Sequence, residues 1–338
     1  MITTTKSALI LLFMLFHGCY APGTNHAQRL KYRASGNSPE IIALYEAWFG
    51  HPKHISVGYS SLDPKAINSQ IHKAQAMGIS AFVVDWYGDR EPFIDRSYAL
   101  MQKASSENNF KIAMMYDETD EDDGATDQAL ADLTVFHDKY LSSKALGSKA
   151  YLTYEGRPVI FIFPKGQHTD WIRVRTLVDK WTPTPLFIYE NIPGKYENVF
   201  DGFYAWINPG ATGWATDGSN WGELYLSDFY HTMQSRYSDK MIIGGAWASF
   251  DDKKASWGLN RRMSARCGQS YTDTLYFWQK YFPSDDPIPF VMIETWNDYE
   301  EGSAIENGIP TCESVRQVQF PSSLKGEPAT SLHSINKK

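Results

Sequence analysis

Eight short apolar runs recur along the chain, and longer, more polar segments separate them. They lie at about 41–45, 79–84, 111–115, 158–163, 186–188, 202–205, 241–245 and 290–293. Runs of this length that are rich in Ile, Val and Phe are typical of strands buried on both faces. Such strands, alternating with helices, form parallel sheets, and eight of them can close on themselves. The pattern therefore predicts an α/β fold, a single (β/α)8 TIM barrel.

The segments between the runs carry helix signals. Asp63 can cap a helix that has Pro64 in its first turn, and Gly78 can end that helix. We expect further helices at about 95–108, ahead of 140, and at 169–181, 223–237 and 271–281. The other common α/β architecture, a doubly wound open sheet, has a glycine-rich phosphate loop after a strand. No such loop follows any of the runs, which favours the barrel.

Composition restricts the classes of ligand. The 338 residues carry a formal net charge of -7, whereas nucleic-acid binding requires a basic surface, so we expect no nucleic-acid partner. Aromatic residues make up 14% of the chain and include 11 Trp and 20 Tyr. Their flat apolar faces and polar edges suit sugar rings, although aromatic side chains also fill cores. No Cys or His spacing matches a metal site, so we expect neither a metal nor another cofactor.

The first 21 residues have the features of an export signal. Lys6 supplies the positive flank, residues 8–16 the apolar core, and Gly18-Cys19 the small-residue end. The apolar core is too short to span a bilayer as a stable helix. Lipidation of Cys19 would attach the protein to a membrane, whereas ordinary cleavage would release it. We therefore predict an exported protein, either a periplasmic or outer-membrane lipoprotein or a secreted one.

The rest of the chain divides into three parts by composition. Residues 22–38 form a predicted polar tether, residues 39–319 the barrel, and residues 320–338 a polar tail. No internal repeat and no second domain is visible in the sequence. In an oxidising compartment, Cys267 and Cys312 can pair as a disulfide. The sequence does not indicate an oligomeric state.

Polar and aromatic residues follow several of the predicted strands. Because the carboxyl ends of barrel strands form one face, we expect these residues to converge there. Carboxylates can orient a sugar through its hydroxyls, and aromatic rings can stack on it. The substrate-binding candidates at these strand ends are Tyr45, Trp48, Asp85, Trp86, Tyr87, Tyr116, Asp117, Glu190 and Trp206.

The stretch after the eighth run is the most acidic part of this face. Its polar and aromatic residues are Glu294, Trp296, Asn297, Asp298, Tyr299, Glu300, Glu301 and Glu306. Carboxylates this close repel one another, so they differ in protonation state or hold a cation. If the segment curls out of the strand, Asp298 and Glu301 share one side of it, whereas the alternative partner, Glu300, would point the other way. Paired carboxylates flanking a glycosidic bond are the usual machinery of sugar hydrolysis. We therefore predict Asp298 and Glu301 as catalytic residues, with Trp296 and Asn297 binding substrate.

This stretch resembles the strand-eight signature of glycoside hydrolase family 99 and its 71/99-like relatives, W-N-[E/D]-x-x-E-G-[T/S]-x-I-E. Here it reads W-N-D-Y-E-E-G-S-A-I-E from Trp296 to Glu306. Residues 45–50, Y-E-A-W-F-G, resemble the family's first-strand motif, and residues 78–88 resemble its second-strand motif. The resemblance therefore covers roughly residues 41–306 and consists of three motifs in order.

The resemblance implies a single barrel that hydrolyses α-mannosides within chains, with retention and without a metal. In the mechanism proposed for the family, one carboxylate takes a proton from the sugar 2-hydroxyl. That hydroxyl attacks the anomeric carbon and forms a 1,2-anhydro sugar, while a second carboxylate protonates the leaving oxygen. Asp298 matches the base and Glu301 the acid. The endo-mannosidases have Glu in place of Asp298, whereas Asp occurs in the 71/99-like group, for which α-1,3-glucan is another candidate substrate.

Two other interpretations compete with this one. A carbohydrate-binding barrel without catalysis would also explain the change to Asp298. A more common glycosidase arrangement would place carboxylates directly after the fourth and seventh strands. Those strands end in Phe163-Pro164-Lys165 and Ala246-Trp247, so neither offers a carboxylate at its end. The sequence thus favours an oligo- or polysaccharide hydrolase that uses the end of the eighth strand.

Overall fold

The computed structural model describes residues 30–119, 123–192, 194–208 and 221–312. The predicted signal (1–21) with Cys19, the first part of the predicted tether and the predicted tail (320–338) lie outside the described residues. None of the helices within the described ranges is long and apolar enough to cross a membrane.

Eight parallel strands form a closed barrel. They are β1 (Glu40–Tyr45), β2 (Ile79–Trp86), β3 (Lys111–Asp117), β4 (Arg157–Phe163), β5 (Leu186–Glu190), β6 (Gly202–Tyr204), β7 (Met241–Ala246) and β8 (Phe290–Ile293). Each strand pairs in parallel with the next one along the chain. Pairing of β8 with β1, from Glu40 opposite Phe290 to Ala43 opposite Ile293, completes the ring. The predicted barrel is confirmed, and the open doubly wound sheet is excluded.

Six α-helices surround the barrel within the described residues. They are α1 (Pro64–Ala76), α2 (Pro92–Glu107), α3 (Ala125–Phe136), α4 (Trp171–Val178), α5 (Glu223–Arg236) and α6 (Gln269–Tyr276). The second begins earlier than expected because Pro92 occupies its first turn, where a proline loses no helical hydrogen bond. Between β5 and β6 the described residues contain a 3-10 turn, Gly194–Tyr196, in place of an α-helix.

The first helix shows how local sequence sets an element. The side chain of Asp63 accepts a hydrogen bond from the backbone N–H of Lys65 at 2.9 Å, which caps the helix. Ile67, Ile71 and Ala74 are fully buried, so one face of α1 packs on the strands. Gly78 follows with a φ of 80°, a conformation that glycine adopts without strain.

Residues 30–34 pack against the barrel, whereas the sequence predicts a polar tether for the whole of 22–38. The backbone N–H of Lys31 donates to Ser238 O and that of Ala34 to Pro287 O, both at 3.0 Å. Leu30 and Tyr32 are buried, alternating as in a strand. Ser238 and Pro287 precede β7 and β8, so this segment lies across the amino-terminal end of the barrel. We call residues 30–34 the strap.

The long connection between β7 and α6 is structured at both ends. Phe250–Asp251 and Arg262–Met263 pair as a short antiparallel ribbon, which carries the intervening residues toward the barrel mouth. Farther on, Cys267 is disulfide-bonded to Cys312, with their Cα atoms 4.6 Å apart. The predicted pairing of the two cysteines is confirmed.

Candidate active site

A cavity of about 700 Å³ opens at the carboxyl ends of the strands. This is the face on which barrel enzymes place their chemistry. Of the sequence-predicted residues, Trp48, Asp85, Tyr87, Asp117, Glu190, Trp206, Asp298 and Glu301 line it. The sequence analysis did not select several further lining residues with polar groups, among them Glu46, Lys165, Trp257 and Arg261.

Three predicted residues, Tyr45, Trp86 and Tyr116, do not line the cavity. The hydroxyl of Tyr45 donates to a side chain of α1 at 2.8 Å, the indole of Trp86 to α2 at 3.3 Å, and the hydroxyl of Tyr116 to α3 at 3.0 Å. All three are buried between the strands and the helices. Successive side chains of a strand point to opposite faces, so their immediate neighbours reach the cavity instead. These three side chains therefore face the helical layer, whereas the sequence predicts that they contact substrate.

Trp296 and Asn297 also lie behind the cavity wall and do not line it. The ring of Trp296 is fully buried and packs against Phe82, with 5.3 Å between ring centroids. Asn297 accepts a hydrogen bond from Glu46 N at 2.7 Å and donates one to Glu46 O at 2.9 Å. Both residues therefore support the site: they fix the end of β8 against the end of β1.

Asp298 is held by its own turn. Its Oδ1 accepts hydrogen bonds from the backbone N–H groups of Glu300 at 2.9 Å and Glu301 at 2.8 Å. Its own N–H donates to Thr295 Oγ1 at 2.7 Å. The residue is only 3% exposed yet reaches the cavity. These contacts fix the carboxylate and present Glu301 from the same turn.

Glu301 has a different set of partners. Its Oε1 accepts a hydrogen bond from the indole N–H of Trp257 at 2.9 Å, and Arg261 Nη2 lies 4.0 Å from the same oxygen. Trp257 and Arg261 come from the loop between β7 and α6, so this loop supplies the donors to the second carboxylate.

Burial raises the pKa of both Asp298 and Glu301 above the usual range of a carboxyl group. The charge of Glu301 raises the pKa of Asp298 further, whereas the two backbone donors oppose this rise. The hydrogen bond from Trp257 and the charge of Arg261 likewise oppose the rise in the pKa of Glu301. The charge of Glu301 therefore disfavours ionisation of Asp298, so the two carboxyl groups interact in their protonation. Interacting carboxyl groups of this kind can act as one acid and one base at a single pH.

Glu300 faces away from the catalytic candidates. One of its oxygens lies 2.8 Å from His54 Nδ1, and the other accepts from the backbone of Ile55 at 3.1 Å. His54 in turn stacks on Trp48, with ring centroids 4.5 Å apart and planes 4° from parallel. Glu300 thereby positions an aromatic platform on the cavity wall.

Aromatic rings line two sides of the cavity. On one side Trp48 meets Trp257 edge to face at 5.7 Å, and Trp257 remains 43% exposed. On the other side Trp206 packs edge to face on Phe163 at 5.2 Å. Sugar rings stack on such surfaces, because their C–H faces are apolar and their edges are polar.

A second group of charges lies at the ends of β2, β3 and β4. Lys165 Nζ is 2.6 Å from Asp117 Oδ1 and lies over the ring of Tyr87, 4.9 Å from its centroid. Burial raises the pKa of Asp85 to about 6, although Lys165 and Tyr87 limit the rise. Burial and the charge of Asp85 raise the pKa of Asp117 well above its usual range.

Glu46 and Glu190 complete the acidic lining. Burial raises the pKa of Glu190 to about 7, opposed by Asn191, which donates to it at 2.8 Å. Burial also raises the pKa of Glu46, and the surrounding carboxylates add to this effect. The signal that could have found Glu46 is alternation: it is the next residue after Tyr45, which faces the helices.

The lining groups suit chemistry on a sugar. Carboxylates with shifted pKa values can donate and accept protons, and aromatic faces can hold a ring beside them. Within the described ranges, no group of three or more His, Cys, Asp and Glu side chains is arranged as a metal site.

Comparison with solved structures identifies similar barrels. A glycoside hydrolase family 99 endo-α-mannosidase from Bacteroides thetaiotaomicron, in complex with bis-tris-propane, matches 79% of this chain and 86% of its own, with 18% identity and a TM-score of 0.62. A second structure of a family 99 endo-α-mannosidase from the same organism matches 79% of this chain and 87% of its own, with 17% identity and a TM-score of 0.57. A glycoside hydrolase-like protein gives 14% identity over 82% and 89%, and a TM-score of 0.56. At these identities the likeness establishes the barrel fold.

A scan against protein-family models found no match, and a search of curated proteins found no similar sequence.

Proposed function

We propose that this chain is a glycoside hydrolase that cleaves α-linked glycans with retention, in the manner of an endo-α-mannosidase. The observation that carries the proposal is the Asp298–Glu301 pair. Both carboxylates lie on one turn at the carboxyl end of β8 and line a cavity walled by Trp48, Trp206 and Trp257. The solved structures with this fold include endo-α-mannosidases of family 99, the same family that the motifs of this chain resemble.

The proposed chemistry assigns one role to each carboxylate. Asp298 takes the proton of the sugar 2-hydroxyl, whose oxygen attacks the anomeric carbon as the bond to the leaving oxygen breaks. Glu301 gives its proton to that oxygen. Water then opens the 1,2-anhydro sugar with the roles reversed: Glu301 accepts a proton from the water, and Asp298 returns one to the 2-oxygen. Two inversions at the same carbon give net retention.

The contacts of the two residues orient them for these roles. Two backbone N–H groups hold Asp298 Oδ1 and oppose the rise in its pKa that burial and the charge of Glu301 cause. Trp257 fixes the orientation of Glu301 near the aromatic surface that would carry the leaving sugar. The lining residues Trp48, Asp85, Tyr87, Asp117, Glu190 and Trp206 would then bind the substrate hydroxyls and ring faces.

One observation favours a second candidate. Asp is one methylene shorter than Glu, and one oxygen of Asp298 already accepts two hydrogen bonds within its own turn. General-base catalysis requires hydrogen-bond reach to the substrate proton. If Asp298 only holds the turn, the barrel binds carbohydrate without cleaving it. If the shorter side chain of Asp298 instead suits a sugar bound in a different position, we propose an α-1,3-glucan as the substrate, as for the 71/99-like group.

A substrate screen with variants tests the proposal. The purified protein is incubated with α-mannan, α-1,3-glucan and high-mannose glycans, and the products are identified by mass. We expect Glu301→Gln to lose about 10²–10⁴-fold in rate, as on removal of a general acid, while still binding substrate. Glycosides with good leaving groups should be partly spared, because they need little protonation. Asp298→Asn should fail on all leaving groups.

Each result has a defined meaning. Full activity of Glu301→Gln would reject the assignment of the pair. Binding of a glycan by the wild type without any product would support the carbohydrate-binding barrel. A glycosyl adduct trapped on Asp298 would replace the 1,2-anhydro route by a protein nucleophile and keep the hydrolase.

A further inference from the structure

Two buried carboxyl groups on the cavity wall each have one oxygen without a hydrogen-bond donor. Glu46 is 4% exposed and Asp85 is 6% exposed, and both line the cavity. Glu46 Oε2 and Asp85 Oδ1 have no hydrogen-bond partner in the part of the chain that the structure describes. A buried acceptor without a donor costs free energy that a ligand carrying donors can recover.

The other carboxylates nearby already have donors. Lys165 pairs with Asp117 at 2.6 Å, and the indole of Trp257 donates to Glu301 at 2.9 Å. Two backbone N–H groups donate to Asp298. Glu46 Oε2 and Asp85 Oδ1 therefore remain acceptors without a donor, although Lys165 and Tyr87 limit the rise in the pKa of Asp85.

Glu46 and Asp85 are neighbours on adjacent strands, and their positions are rigid. Tyr45 stands opposite Val84 in the pairing of β1 with β2, so the next residue of each strand follows side by side. The Asn297 side chain holds both backbone polar groups of Glu46, at 2.7 and 2.9 Å. Because Asn297 directly precedes Asp298, this contact fixes Glu46 relative to the catalytic candidates. Such rigidity is typical of a binding site that is formed before its ligand arrives.

The whole cavity is acidic. Carboxylate side chains on its wall outnumber lysines and arginines: Glu46, Asp85, Glu91, Asp117, Glu190, Asp298 and Glu301 against Lys53, Lys165 and Arg261. An acidic cleft attracts cations and repels anions, so sugars with carboxylate or sulfate groups are disfavoured.

We propose that Glu46 and Asp85 bind the ammonium group of an amino sugar, which makes the substrate an α-linked glycan with free, non-acetylated amines. An ammonium group supplies three donors and no acceptor, and its hydrogen bonds to carboxylates are charge-assisted. The assignment rests on the proposed function for the sugar part of the ligand. Since the cleaved sugar must keep its 2-hydroxyl, a 2-amino group belongs to the adjoining sugar.

Protonation gives the binding a signature. In the empty cavity, burial and the charges of Asp85, Asp298, Glu301 and Asp117 raise the pKa of Glu46 and favour its protonated form. A bound ammonium group favours the ionised form instead. Glu46 therefore gives its proton to the buffer when the amino sugar binds, and a neutral sugar causes no such release.

Isothermal titration calorimetry tests the proposal on the intact protein. The probes are methyl α-glycosides of glucosamine, galactosamine and mannosamine, each compared with its N-acetyl and its parent 2-hydroxy form. We expect at least one amine to bind about tenfold more tightly than both counterparts, the gain of a charge-assisted over a neutral hydrogen bond. Titration in two buffers with different heats of ionisation should show proton release for the amine alone. Equal affinity across all three forms would overturn the proposal.

Variants localise the effect. Glu46→Gln and Asp85→Asn should each remove most of the amine preference, and Glu46→Gln should also abolish the proton release. Glu91→Gln is the matched control, since it removes one carboxylate from the same cavity at a residue outside the predicted substrate-binding set. It should keep the preference ratio. A preference that survives in both Glu46→Gln and Asp85→Asn would place the amine elsewhere and reject the site. If a variant fails to fold, the comparison of sugars on the wild type still decides.

The subsite and the proposed function fail in different ways. Hydrolysis of neutral α-glycans together with equal binding of amines and parent sugars would reject the subsite and keep the hydrolase. A clear amine preference without cleavage of any glycan, including amine-bearing ones, would reject the hydrolase and keep the subsite.

Discussion

At the residue scale, the contact between Trp257 and Glu301 sets how the proposed acid titrates. Burial raises the pKa of Glu301, and the indole N–H opposes that rise by stabilising the ionised carboxylate. A general acid works in its protonated form, so activity falls as the pH rises through its pKa. In the proposed mechanism, the indole therefore lowers the alkaline limit of activity as well as orienting the carboxylate.

Replacing Trp257 by Phe removes the donor and keeps an aromatic ring. Without the donor, the pKa of Glu301 rises, and we expect the alkaline limb of the kcat/KM profile to move to higher pH. The measurement is the rate across pH on the substrate identified by the screen. Trp181→Phe is the control, because it makes the same change in a ring that packs on His137 in the helical layer. It should leave the alkaline limb of the profile in place. A limb that moves to lower pH in Trp257→Phe would contradict the contact.

At the element scale, the end of each strand has two faces with different tasks. Tyr87 lines the cavity, whereas Tyr116 donates to Asp132 in the layer between strand and helix. Asp132 keeps Arg90 and Gln128 as donors when that hydroxyl is lost. The two tyrosines are thus a matched pair for separating binding from stability.

We expect Tyr116→Phe to lower the free energy of unfolding by about 1 kcal/mol, the net value of one hydrogen bond, and to leave KM unchanged. Tyr87→Phe should change KM, because the hydroxyl lies at the cavity wall beside Asp85 and Asp117. Urea unfolding and steady-state kinetics on both variants provide the measurements. A changed KM in Tyr116→Phe, with stability intact, would mean that the assignment of faces is inverted.

The barrel was predictable because parallel strands that are buried on both faces have continuous apolar sequences. All eight runs correspond to observed strands, with ends that differ by a few residues, such as β3 continuing to Asp117. The segment between the fifth and sixth strands carries no predicted helix, and its described residues contain only a 3-10 turn. The strap was missed because Leu30 and Tyr32 are only two apolar residues in a polar segment, and their burial depends on tertiary contacts.

The site was predictable in position and less so in detail. An apolar run that is buried on both faces does not show which of its terminal residues faces inward, so Tyr45 was chosen in place of Glu46. Side chains alternate between the two faces of a strand, so if Asp85 and Asp117 face the cavity, their neighbours Trp86 and Tyr116 face the helices. This rule would have excluded both from the predicted substrate-binding set. Trp257 and Arg261 had no local signal, because only the fold of the loop between β7 and α6 brings them to Glu301.

At the scale of the whole molecule, the disulfide connects the loop before α6 to the chain beyond β8. It links residues 45 apart in sequence, so it restricts the unfolded chain considerably. We expect Cys267→Ala with Cys312→Ala to lower the free energy of unfolding by about 2–4 kcal/mol. Denaturation with and without reductant measures this. Reductant should destabilise the wild type and leave the double variant unchanged; an equal response of both would show that the bond does not contribute.

The strap determines the end of the barrel from which the chain continues toward its amino terminus. Residues 30–34 leave the barrel at the end opposite the cavity, beside Ser238 and Pro287. An anchor upstream of Leu30, which lipidation of Cys19 would supply and ordinary cleavage would not, would join the described chain at the end of the barrel opposite the cavity. A long polymer too large to diffuse under the protein could still enter from the medium. Such an anchor would leave the cavity accessible to polymers outside the cell that makes the protein.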